Sequence, residues 1–151
     1  TSFDIVAREI SSKVAAGIDC ISCANCCKTL EVVLDRQDVD RLAQRLNMTA
    51  RDFGRRFTRR TEDGTLVMNR RPCPMLDHGS CTVYDVRPTA CRDFPYWQDP
   101  NVSGRLLVHS DNSVICPIAF YSLEALQKRF GWNPGFGPAE PSGSTKPTGE
   151  T

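Results

Sequence analysis

Asp19-Cys20-Ile21-Ser22-Cys23-Ala24-Asn25-Cys26-Cys27-Lys28 carries more information than any other stretch of this 151-residue chain. Two-residue spacers let successive thiolates of a turning backbone converge on one small centre. This is the geometry of C-x-x-C zinc knuckles and of C-x-x-C-x-x-C iron–sulfur runs. Three ligands in one run favour iron–sulfur over zinc. Cys26 and Cys27 differ from the others because neighbouring side chains diverge. Both are not expected to complete one tetrahedron, so one of them should reach a second centre or bridge.

Outward from that run, Cys73, Cys81, Cys91 and Cys116 lie at long intervals and must return through the fold to complete the coordination. Eight thiolates divide naturally into two four-ligand sites. A single four-ligand cluster with spare cysteines, or a polynuclear centre with bridging thiolates, fits the same count. Cys73-Pro74 and Cys116-Pro117 echo the Cys-Pro ending of bacterial ferredoxin runs. Cys116 would also sit at a helix N-terminus, where the dipole favours a thiolate. Scattered cysteines are ordinary core residues. Four within eight residues point instead to metal, ahead of disulfides or a catalytic thiol.

The chain around these cysteines supports a modest core. Hydrophobic residues make up 40%, and 19 basic against 18 acidic side chains leave a net charge of +1. One core with help from staples is the expectation, and no global field attracts nucleic acid or an anionic membrane. No apolar run approaches the roughly 20 residues that span a bilayer. Asp4, Arg8, Glu9 and Lys13 interrupt the opening segment, so a cytoplasmic protein is expected. The chain opens on Thr1 rather than Met, and a leader removed before it would reopen the disulfide reading.

Phe3, Ile5, Val6, Ile10, Val14 and Ile18 recur at helical spacing up to Gly17, so a first helix leads into the cysteine run. Leu30 to Leu34 is a short β-branched run. Asp35 can cap a helix over Arg36 to Leu46, and Thr49 another carrying Phe53 and Phe57. Thr61 to Gly64 reads as a turn, and Leu66 to Met68 and Leu106 to His109 as strands. Pro72, Pro74, Pro88, Pro95 and Pro100 suit a knot held by ligands. Pro117 opens a closing helix through Phe130. The expected fold is a small α+β domain, mostly helical, irregular and metal-stapled, with short strands, over residues 1–133. Gly, Pro, Ser and Thr dominate residues 134–151, which read as a disordered tail.

With these residues in view, the chain resembles the YkgJ-like cysteine-cluster proteins, a family described as a zinc- or iron-chelating domain. The resemblance rests on C-x-x-C-x-x-C-C at Cys20 to Cys27, Cys73-Pro74-Met75-Leu76, and Cys81-Thr-Val-Tyr84-Asp-Val-Arg87-Pro88. Cys91-Arg92-Asp-Phe94-Pro95 and the late Cys116-Pro117 complete it, and the ordered set covers about two thirds of the chain. It implies a chelating domain. The same domain type occurs in flagellin lysine methylases, where an iron–sulfur cluster is expected. The family often places glycine between the second and third cysteines; here Ala24-Asn25 stands there, and Asn25 is expected to supply the left-handed turn.

Among other candidates, His78 lies in a turn before Cys81, and His109 reads as structural. Arg87 and Arg92 flank the proposed thiolates, where they would balance a tetrathiolate's charge or hold an anionic group. They are the candidate cofactor-binding cations. Tyr84, Phe94, Tyr96 and Trp97 are expected to shield the centre. Seven Arg between Arg51 and Arg71, against Asp52, Glu62 and Asp63, read as a solvated face ahead of a docking surface. No Gly-rich phosphate loop, H-E-x-x-H or G-x-S-x-G is present. Two functions compete. The leading one is a module that binds iron–sulfur or zinc through all eight cysteines and meets a protein or metal-delivery partner. The alternative is an iron–sulfur enzyme or electron-transfer protein, whose only nearby acids or bases are His78, Asp85 and Asp93.

Overall fold

Two groups of helices flank a cysteine-bearing middle in the computed structural model, which describes residues 2–131. Helix α1, Phe3–Ala16, is amphipathic and ends at Gly17; it buries Ala7 and Ser11. It packs on the closing helix, whose apolar face supplies Ile118, Ala119 and Leu126 to a core shared with Trp97 and Val102. Phe3 and Phe130 meet at 5.2 Å between ring centroids and hold the two helices end to end. Burial of these side chains stabilises the pair by roughly 1.5–3 kcal/mol for each large residue removed from water.

A second core gathers around Leu42, Phe53, Met68, Met75 and Val83. After the short helices α2 (Cys20–Cys23) and α3 (Asn25–Thr29), helix α4 spans Arg36–Arg45. Its start is a capping box: the Asp35 carboxylate accepts from the Asp38 amide at 2.7 Å, and Asp38 returns the bond to the Asp35 amide at 3.1 Å. Helix α5, Ala50–Phe57, is capped by Thr49, whose hydroxyl accepts from Asp52 N–H at 3.1 Å. Strands β1 (Thr58–Arg60) and β2 (Leu66–Met68) form an antiparallel hairpin in the register Thr58↔Met68. Gly64, at φ 85, provides the turn.

The middle is built from small pieces. Strands β3 (Leu76–Asp77) and β4 (Ser80–Cys81) form a minimal hairpin, followed by a 3₁₀ turn at Tyr84–Val86 and helix α6, Thr89–Asp93. A second 3₁₀ turn, Ser103–Arg105, leads into α7, Leu106–Ser113, and α8, Pro117–Phe130, closes the described chain.

Mostly helical architecture with short antiparallel strands is what the structure has, with two local corrections. Leu106 to His109 is the start of α7, not a strand. The Leu-Leu-Val run that suggested a β-strand leaves Leu107 83% exposed, and only His109 of this helix is buried. The β-branched run Leu30 to Leu34 contributes one isolated bridge, Val33 to Val67. The left-handed residue of the cysteine run is Ala24, at φ 48, and Asn25 begins α3. Among the described residues no helix is long and apolar enough to cross a membrane. The tail read from residue 134 lies outside the described residues.

Candidate metal centre

The cysteine run folds as two short helical turns separated by one reversal. Asp19 caps the first, accepting from Ile21 N–H at 3.0 Å and from the Ser22 hydroxyl at 2.6 Å. Those Ser22 bonds hold the Asp19 carboxyl below its usual range. Ala24 then turns left-handed with only 1% of its surface exposed, so a small side chain is what the crowded reversal accepts. Cys20 and Cys23 lie on the turn before it, Cys26 and Cys27 on the turn after.

Distant segments are stitched to this run by hydrogen bonds. Asn25 Nδ2 donates to the Ile115 carbonyl at 3.3 Å, next to Cys116. The Cys73 amide donates to the Cys27 carbonyl at 2.8 Å. The Thr82 amide and hydroxyl both donate to the Met75 carbonyl, at 2.9 Å each, and close the loop between Cys73 and Cys81. Helix α6 carries Cys91. Cys116 sits between α7 and α8, its amide donating to the Asn112 carbonyl at 2.8 Å.

All eight cysteines line one cavity of about 300 Å³. Their thiols are free; Cys20 is exposed at its edge and Cys116 is buried. Among the described residues no group of three or more Cys, His, Asp or Glu side chains is already placed to hold a metal ion. Cys26 is the sulfur most shared: its charge raises the pKa of Cys20, Cys73, Cys91 and Cys116. Cys27 keeps its proton, because its thiol donates toward Cys26 and Cys81. That donation pulls both neighbours below the usual thiol value. The two adjacent cysteines thus differ in protonation, but their thiols lie within hydrogen-bond reach of each other, so the divergence expected of neighbouring side chains is not what the structure has.

Burial pushes the Cys91 thiol from 9.0 up to about 12, with the charges of Cys73 and Cys26 adding to it. The sign of the consequence follows from linkage. Below the unfolded value the thiol is protonated in both states and its stabilising contribution is complete. As pH rises from 9 toward 12 the unfolded chain loses its proton first, and that contribution is lost. Metal-free protein should therefore show a falling urea midpoint across this range, and Cys91→Ala a shallower fall. Parallel slopes for parent and variant would contradict the assignment.

The remaining sequence candidates separate clearly. Burial leaves the Cys20 thiol raised and the Cys27 bond leads the lowering of Cys81, while the Arg87 charge favours the thiolate form of both. Its guanidinium sits 4.0 Å over the Tyr84 ring and donates to the Tyr84 carbonyl at 2.8 Å. Arg92 lines the cavity but spends contacts on Thr89 Oγ1 at 3.2 Å and Asp93 at 3.7 Å. Tyr84, Phe94, Tyr96 and Trp97 all line the cavity wall. His78 is not among the lining residues. It stands exposed at the tip of the β3–β4 hairpin, 2.9 Å from Asp77. His109 is fully buried in α7 and stacks on Trp97 at 4.4 Å. Asp85 faces Arg45 at 3.5 Å, away from any role as a buried acid, and Asp93 lines the cavity. In the Arg-rich segment, Arg59 pairs with Glu31 and Arg60 donates to the Gly64 carbonyl.

Sequence reasoning missed Asp38, which is 1% exposed. Burial works to raise its pKa, but bonds from the Asp35 and Thr89 amides and from Arg41 outweigh it and hold the carboxyl below its ordinary value. An Asp three residues after a capping Asp was the available signal; its distant partners were not legible.

Eight soft thiol donors with no histidine on the wall suit zinc or an iron–sulfur group, and not a hard cation that prefers oxygen. Comparison with known proteins agrees. The profile of the CxxCxxCC family, described as "Putative zinc- or iron-chelating domain", matches residues 19–117. No curated protein and no solved structure matches the chain.

Proposed function

The chain belongs to the CxxCxxCC family, and from that membership we propose that its eight thiols hold an iron–sulfur centre within one shared cavity, as a metal-binding module that meets a protein partner. The observation that carries this is the cavity of about 300 Å³ lined by all eight cysteines. The C-x-x-C-x-x-C spacing of Cys20, Cys23 and Cys26, as in ferredoxin runs, favours iron–sulfur over zinc. The shared wall favours one composite centre over two separate four-cysteine sites.

When bound, such a group supplies an electron reservoir whose potential depends on charge and solvent exposure. The protein's part follows from its own residues. Cys26, Cys73, Cys81, Cys91 and Cys116 come from five separate segments, so thiolate coordination would staple the small pieces of the middle together. Arg87 offsets thiolate charge on the side of Cys20 and Cys81. Tyr84, Phe94 and Trp97 exclude water from the wall. A redox or group-transfer enzyme is the second reading, favoured by Glu31, Arg92, Asp93 and Gln98, polar groups on the same wall as the thiols.

Metal and acid-labile sulfide content with a visible spectrum, on protein purified without oxygen, tests the proposal. A brown protein with iron and sulfide in comparable amounts is expected. A colourless protein with about two zinc ions and no sulfide would replace it with closed tetrathiolate sites.

A further inference from the structure

Helix α6, the five-residue piece that carries Cys91, has no capping side chain of its own, since Pro88 stands at its N-cap. The cap comes from α4 instead. Asp38 Oδ1 accepts from the Thr89 amide at 3.0 Å and from the Thr89 hydroxyl at 3.2 Å, across 51 residues of sequence. The same oxygen accepts from Arg41 Nη2 at 2.6 Å, and that Nη2 also donates to the Arg87 carbonyl at 3.3 Å. The carboxylate is therefore buried, fully used, and paired with a cation. Together Asp38 and Arg41 grip both ends of Arg87-Pro88-Thr89. The gripped stretch separates the guanidinium nearest Cys20 and Cys81 from the Cys91 thiol.

A carboxylate placed only to start α4 would need the Asp35 amide and nothing more. Burying it against a loop 51 residues away is costly unless every bond is made. Losing one partner leaves the others stranded, so the clamp has one stable arrangement. We propose that the Asp38–Arg41 pair is the positioning device of the centre, fixing where Cys91 and Arg87 face the cavity. The inference rests on reading Cys91 as a ligand, but it makes a claim that holds with or without metal.

Asp38→Asn tests it, because an amide offers only one accepting oxygen and must abandon either Thr89 or Asp35. As-purified protein is pulsed with iodoacetamide and the eight cysteines are quantified by mass spectrometry. As-purified protein is challenged with a chelator in parallel. Cys91 should be alkylated about tenfold faster in the variant, the factor expected from losing a hydrogen bond to a charged group. Cys20 and Cys81, which lose the Arg87 charge that favours their thiolates, should be alkylated more slowly, and the remaining five cysteines should keep their parental rates. Thr89→Val, which loses only the hydroxyl contact, should give a smaller change in the same direction, and Thr89→Ser should restore the parental rate. Val39→Ala, on the same helix, serves as a control for lost stability.

Uniform acceleration at all eight cysteines, matching Val39→Ala, would mean that Asp38 only stabilises the fold, and would overturn the proposal. Parental protein without metal would defeat the metal-centre reading, while the labelling pattern still decides the positioning claim. Where metal is present, faster loss from Asp38→Asn than from Val39→Ala is expected, and equal loss counts against positioning.

Discussion

Anaerobic removal of the metal should lower the melting temperature by at least about 20 °C. Structural thiolate sites contribute roughly 10 kcal/mol, comparable with the whole stability of a domain, and each kcal/mol moves the midpoint by a few degrees at this size. The elements between Cys73 and Asp93 span only two to five residues each, far below the length at which helices or hairpins persist unaided. Met75 and Val83 tie them to the core around Leu42 and Phe53, and Cys73, Cys81 and Cys91 pack only partly buried against it. The loss of order should concentrate there. Amide exchange in residues 73–97 should rise well above that of α1 and α8, which share their own core. An unchanged melting temperature and circular dichroism spectrum after verified metal loss would refute the stapling role.

Replacing Cys26 and Cys27 separately by Ser should give two different proteins. Cys26 faces the widest set of thiols, with its charge felt at Cys20, Cys73, Cys91 and Cys116. Cys27 touches Cys26 and Cys81 and holds a proton between them. Cys26→Ser should therefore lose most of its metal, with an affinity cost above the 10–100-fold typical of removing an outer hydrogen bond to a ligand. Cys27→Ser should retain metal at reduced stoichiometry or with an altered spectrum, since it removes the thiol that donates toward Cys26 and Cys81. Iron and sulfide analysis of both variants checks this. Equal metal content in the two, matching the parent, would sink the distinction.

The longer helices were legible because local chemistry marks them. Asp35 and Thr49 cap α4 and α5 in the structure as their positions suggest, and Pro117 opens α8. Length and amphipathic period decide such elements without tertiary help. The Leu106-Leu107-Val108 run misled because a short apolar stretch has no period of its own, and the neighbouring α8 decides its conformation. Asn25 was the better left-handed residue by propensity, but the reversal fell on Ala24. Asn25 is bound instead to the Ile115 carbonyl, a partner 90 residues away. Strand β1 escaped notice because Thr58-Arg59-Arg60 carries no apolar alternation; its pairing with β2 specifies it.

The candidate site divides in the same way. Spacing announced the four cysteines of the run. That Cys73, Cys81, Cys91 and Cys116 share the run's cavity is a property of the fold. Asp38 belongs wholly to that second class, since nothing near it in sequence hints at Thr89.

The thiols of the cavity are drawn from residues 20 to 116, and this spread sets a clock for biosynthesis. At about 5–20 residues per second, a ribosome needs roughly 5–20 s between delivering the CxxCxxCC run and delivering Cys116. For that interval Cys20, Cys23, Cys26 and Cys27 have emerged without the partners that enclose them, and the Asn25 bond to Ile115 has nothing to bind. A centre that uses all eight thiols would therefore close only after Cys116 has been delivered, and oxygen or a mismatched metal ion would meet the nascent run before its own segments do.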